Sequence, residues 1–166
     1  MKTAGTSFRT MLEREFGDRI YPTNDELAAQ PQRFYLRTPE LLDKLAAGSL
    51  DLSGRDFLCG HYPARLAEEL KGEWRTVIFL REPISRTLSI LAHHKRNLGF
   101  FERRGKLNIP RLLKKRDFVL GQVADYQTKT LALPGTGNVN QPYPVNEATY
   151  EKAVEVLHAA DCVGLT

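Results

Sequence analysis

The sequence predicts an α/β fold, with a parallel sheet flanked by helices, on three observations. Short apolar runs alternate with stretches of helical periodicity, and the connections between them are short. The 166 residues carry 42% hydrophobic and 27% charged side chains, the balance of one globular core, so residues 1–166 read as a single domain. Strand, helix, strand and helix in succession imply right-handed crossovers and parallel neighbours.

From Thr6 to Phe16 the apolar residues Phe8, Met11, Leu12 and Phe16 share one helical face, and Gly17 is placed to end that helix. Thr38 as N-cap, Pro39 in the first turn, inward Leu41, Leu42 and Leu45, and a stop at Gly48 define a second helix. Arg55–Gly60 reads as a short strand and Pro63–Leu70 as a helix. Arg75–Leu80 reads as a buried strand and Pro83–Asn97 as a longer helix. Asp117–Leu133 and Glu147–Ala160 read helical, with Asn146 capping the latter, and the Pro, Gly and Asn residues between Pro134 and Asn146 mark a loop. Cys162–Thr166 reads as a strand or loop broken off in mid-course, and no internal repeat is present.

The net charge of +4 is unevenly spread. Lys95–Arg116 holds nine basic residues against one acid, Glu102, so the rest of the chain is net −4. Such a segment is either a solvated basic face or a contact for an anionic partner: a nucleotide, an acidic sugar, a lipid headgroup or nucleic acid. Apolar runs such as Thr76–Leu80 are far shorter than the roughly 20 residues that cross a bilayer, and no signal-type apolar stretch follows the start. The chain shown is therefore expected to be cytoplasmic, although an anchor or signal upstream of Met1 would place it at a membrane or in the Golgi lumen. Cys59 and Cys162 are too few for a disulfide framework and lack metal-ligand spacing, so they read as two buried thiols.

Lys2-Thr3-Ala4-Gly5-Thr6-Ser7 puts a lysine, a glycine and two hydroxyls immediately ahead of a helix. Free N–H groups and the positive dipole end make such a start an anion site, and glycine lets phosphate oxygens approach. The pattern is not GxxxxGK[ST], since the lysine comes first, and an ordinary capped helix fits the spacing as well. In Thr76–Ser89 a strand delivers Arg81 to its C-terminal end, where open α/β sheets bind ligands. Pro83 then starts a helix that sets Ser85 and Ser89 one turn apart with Arg86 beside them. Arginine's planar fork suits a phosphate, while an ion pair with Glu82 is the plainer alternative.

Together these two elements resemble the sulfotransferases that use PAPS (3'-phosphoadenosine 5'-phosphosulfate), and most closely the bacterial and carbohydrate group with a "PKTAGTS" loop. The resemblance implies a P-loop-like sulfotransferase fold. It places Lys2 near the oxygen bridging phosphate and sulfuryl, with Thr3 in the same donor-binding loop. Gly5, Thr6 and Ser7 would hold the 5'-phosphate, and Arg81 and Ser89 the 3'-phosphate. Cys59-Gly60-His61-Tyr62-Pro63 is similar to a "GHxPY"-like segment where relatives acting on carbohydrates place a catalytic histidine, and the likeness extends to Tyr126-Gln127-Thr128-Lys129 and Val163–Thr166. Met1 stands where that family has proline, the strand preceding the loop is missing, and the family continues past Thr166. The chain is thus expected to be incomplete at both ends.

The reaction implied is in-line displacement of adenosine 3',5'-bisphosphate by an acceptor hydroxyl, which on this analogy belongs to a carbohydrate or glycolipid. His61 is the general base, with an acidic limb of the activity profile near the ordinary imidazole pKa of about 6.5. Lys2 and the helix N-terminus stabilise the leaving phosphate, so the scheme needs no metal. A histidine just past a strand end is also often a hydrogen-bonded structural residue. His93, His94 and His158 have no metal-type spacing, and Glu82 reads as an ion-pair partner of Arg81.

Two rival readings stand. A kinase or other nucleotide phosphotransferase would need a magnesium-binding carboxylate at the strand end, where Arg81 stands instead. A non-catalytic module binding polyanions through Lys95–Arg116 would need interleaved aromatics, of which only Phe100 and Phe101 are present. Nucleic acid is therefore not the expected partner, whereas that segment could also touch a membrane surface.

Overall fold

The structure is a computed structural model that describes residues 5–23, 25, 38–101 and 109–166; the side chains of residues 5–7, 38–39 and 96–101 are outside the description. Helix α1 (Gly5–Phe16) leads through a 3-10 turn to strand β1 (Ile20–Tyr21). Helix α2 (Thr38–Ala46) precedes β2 (Phe57–Leu58), and β3 (Val77–Leu80) feeds directly into α3 (Pro83–Phe101). Short helices α4 (Ile109–Leu113) and α5 (Arg116–Phe118) and a π-helical turn at Val119–Val123 lead to α6 (Tyr126–Ala132). Helix α7 (Glu147–Ala159) then returns the chain to β4 (Cys162–Leu165).

The strands are parallel, in keeping with an α/β class, but they form two separate pairs rather than one sheet. Ile20 and Tyr21 pair with Phe57 and Leu58, and Val77–Leu80 pair in register with Cys162–Leu165. Each pair buries its own core: Leu41 of α2 and Leu66 meet Tyr21, while Leu131 and Ala132 of α6 and Ala153 of α7 meet Ile78. Helix α1 spans both pairs, with Phe16 against Phe57 (ring centroids 4.5 Å) and Phe8 against Phe79 (4.9 Å). A cavity of about 840 Å³ is lined by residues of both pairs, among them residues 55–60 and 75–80.

Several elements depart from the sequence reading. The segment read as helix Pro63–Leu70 contains only a 3-10 turn at Leu66–Glu69, because its bonds run to the third residue: Leu66 N–H to the Pro63 carbonyl, Glu68 N–H to that of Arg65 and Leu70 N–H to that of Ala67. The strand read as Arg55–Gly60 pairs only at Phe57 and Leu58. Strand β3 is not buried throughout: Ile78 is buried, whereas Val77 at its start is 45% exposed, as alternation across the two faces of a strand allows. The helix read over Asp117–Leu133 is interrupted by the π-helical turn and by Asp125, whose φ of 46° is left-handed. Cys162 is exposed and Cys59 half-buried, so they are not two buried thiols. Within Lys95–Arg116, residues 102–108 lie outside the description, and Lys95, Arg111, Lys114, Lys115 and Arg116 are exposed.

Candidate active site

His61 lies two residues beyond the position where the Cys59 N–H bonds the Tyr21 carbonyl (2.9 Å), just past the end of β2. The next residues fasten its segment to both cores. Tyr62 packs with Tyr21 and Leu41, Ala64 packs with Ile78, and the Ala64 N–H bonds the Thr130 carbonyl at 3.1 Å. Gly60 permits this bend: a Cβ there would stand 2.2 Å from the Tyr62 ring, so that ring lies directly over the glycine backbone. The imidazole faces the cavity together with Arg86, Tyr126 and Gln127.

Burial is the main reason the His61 pKa falls to about 4, and neighbouring positive charges, that of Arg86 among them, add to it. The ring is therefore neutral at pH 7, the form that can accept a proton. Acidic side chains are absent from the described wall at this end; Asp56 and Glu73 stand at the other, beside the starts of β2 and β3.

Arg86 (3% exposed) lays its guanidinium 3.7 Å from the centroid of the Tyr126 ring and donates to the Gln122 carbonyl at 3.0 Å. Lys129 is fully buried, its ammonium 5.1 Å from the same ring centroid. It donates to the carbonyls of Gly121 (2.6 Å), Leu120 (3.1 Å) and Gln141 (3.2 Å), bonding the π-helical turn to the loop before α7. Desolvation, helped by Arg86, lowers the Lys129 pKa to about 8.

Arg81 is the first residue after β3, and the Gln127 carboxamide makes two bonds to its backbone. Gln127 Oε1 accepts from the Arg81 N–H and Gln127 Nε2 donates to the Arg81 carbonyl, each at 2.8 Å. Glu82 does not act as the simple ion-pair partner that the sequence suggests. Its carboxylate accepts from the N–H groups of Ser85 (2.6 Å) and Ile84 (2.9 Å), and those backbone bonds, ahead of the charge of Arg81, lower its pKa. The start of α3 thus carries its own anion, whereas the first turn of α1 holds no acidic residue.

Of the residues singled out in the sequence, Lys2 and Thr3 lie outside the described residues. Gly5, Thr6 and Ser7 open α1, and Phe8, the next residue, packs on Phe79, two residues before Arg81. Ser89 is half-buried in the second turn of α3, on the helix that follows Arg81. His61 lines the cavity just past the end of β2, and Arg81 directly follows β3. Neither Arg81 nor Ser89 is among the cavity's lining residues.

Sequence reasoning gave no role to Gln127 or Lys129. The available signal was Lys129 itself, on the same helical face as Tyr126 and Leu133, both buried. His94 stacks edge-on against Phe118 at 5.1 Å, and no group of three or more His, Cys, Asp or Glu able to hold a metal occurs among the described residues. No described helix is long and apolar enough to cross a membrane. No protein-family model, curated protein or solved structure matches this chain.

Proposed function

We propose that this chain is the core of a PAPS-dependent sulfotransferase on a P-loop-like α/β fold, transferring a sulfuryl group to a hydroxyl of a carbohydrate or glycolipid. The observation that carries the reading is that the acid-free first turn of α1 packs through Phe8 on Phe79 of the strand that leads directly to Arg81, while a neutral His61 lines the adjoining cavity. A volume of about 840 Å³ falls within the range of small-molecule sites, and Tyr62 and Trp74 give its wall aromatic surface for a sugar ring.

In this scheme Gly5, Thr6 and Ser7 hold the 5'-phosphate of the donor substrate, while Arg81 and Ser89 hold its 3'-phosphate. The acceptor oxygen attacks sulfur as the bond from sulfur to the 5'-phosphate oxygen breaks. The acceptor proton passes to a ring nitrogen of His61, and adenosine 3',5'-bisphosphate leaves. Lys2 and the α1 N-terminus stabilise the charge growing on the leaving oxygen. A phosphotransferase is less well supported, because the carboxylate nearest the end of β3, that of Glu82, is engaged in capping α3.

The experiment is calorimetric titration with adenosine 3',5'-bisphosphate and with 5'-AMP. Arg81→Ala and Ser89→Ala are expected to weaken the bisphosphate by about 1.5 to 3 kcal/mol each, the range for charged hydrogen bonds, and to leave 5'-AMP nearly unaffected. Equal losses for both nucleotides would reject the assignment.

A further inference from the structure

We propose that Gln127 is a positioning residue for donor recognition: by bonding both backbone groups of Arg81 it sets the direction in which the Arg81 side chain leaves the sheet. The inference rests on the reading of Arg81 as a 3'-phosphate ligand.

The ladder of β3 with β4 ends at the pair Leu80 and Leu165, closed by the Thr166 N–H on the Leu80 carbonyl at 3.0 Å. Arg81 is one residue further on. There the Gln127 carboxamide supplies what a neighbouring strand would supply, an acceptor for the Arg81 N–H and a donor to its carbonyl, each at 2.8 Å. Two bonds from one planar group hold the peptide units on both sides of the Arg81 Cα, and those units define its Cα–Cβ direction.

The clamp is itself anchored. Gln127 sits in the first turn of α6 between Tyr126, which lies under the Arg86 guanidinium, and Lys129, which holds three backbone carbonyls. Of the near-isosteric side chains, methionine offers neither bond and glutamate lacks the donor. A side chain that served only to tie α6 to β3 would affect the stability of the chain without distinguishing one nucleotide from another.

The test uses the full chain, with adenosine 3',5'-bisphosphate and 5'-AMP titrated into the parent, Gln127→Met, Arg81→Ala and the double variant. Gln127→Met is expected to weaken the bisphosphate about ten-fold, as for one loosened charged hydrogen bond, and to leave 5'-AMP unchanged. In the Arg81→Ala background it should add no further loss, since its effect passes through Arg81. Should Gln127→Met fail to fold, Gln127→Asn keeps the amide one methylene short and should show the same selective loss. An equal loss for both nucleotides, or an undiminished bisphosphate affinity while Arg81→Ala remains selective, would overturn the role of Gln127 alone. If Arg81→Ala itself treats the two nucleotides alike, or the chain binds neither, the donor-site reading and this inference fall together.

Discussion

The ring of Phe8 rests 4.9 Å from that of Phe79, tilted by 59°, and this contact ties the first turn of α1 to the C-terminal half of β3. It joins the two elements proposed to bind the donor phosphates. Phe8→Ala should lower stability by about 1 to 3 kcal/mol, less than a fully buried phenylalanine, because both rings are half-buried. It should also weaken donor binding. Urea denaturation and nucleotide titration of the folded variant measure both effects, and an unchanged donor affinity would separate the α1 start from the donor site.

Gly60 precedes His61 and lies beneath the Tyr62 ring. A methyl group there would stand 2.2 Å from the Tyr62 ring, so Gly60→Ala must displace the ring or the backbone. Turnover is expected to fall at least ten-fold, with donor affinity retained, because the segment bearing His61 moves while Arg81 does not. Parallel losses of turnover and donor affinity would show instead that the damage is general.

The burial of Lys129 predicts a pH dependence of stability. Its folded pKa of about 8 lies below the ordinary lysine value of 10.5, so between those values the unfolded chain binds more protons. Its contribution to stability should therefore rise as pH increases from about 8 to 10.5. Subtracting the profile of Lys129→Met, which lacks the titrating group, isolates this rise. The variant should also be less stable at pH 7, since three carbonyls lose their donor. A difference profile that is flat across this range would contradict the burial argument.

The long amphipathic elements were legible in the sequence. Helices α1, α2, α3 and α7 follow from apolar spacing and caps, and Asn146 caps α7 as its chemistry suggests, its Oδ1 accepting from the Thr149 N–H at 3.0 Å. Strand β1 was not legible, because two residues between Arg19 and Pro22 are too short to show alternation. The π-helical turn before α6 is held by the tertiary bonds of Lys129, which no local propensity encodes. The site divides in the same way. His61 and Arg81 could be placed at strand ends from local pattern, whereas the Gln127 clamp joins residues 46 apart in the chain. The low His61 pKa likewise depends on burial created by both cores.

The most direct test is sulfuryl transfer from PAPS to a carbohydrate hydroxyl acceptor, followed across pH for the parent and for His61→Ala, with donor affinity measured alongside. The parent is expected to transfer the group, with kcat/KM nearly level down to about pH 5 and falling near the His61 pKa of about 4. His61→Ala should lower turnover by about 10² to 10⁴-fold, lose that limb and keep donor affinity. Absence of transfer by the parent would contradict the proposed activity. If transfer is present but His61→Ala lowers only the melting temperature, leaving activity per folded molecule unchanged, His61 is structural and is not the base.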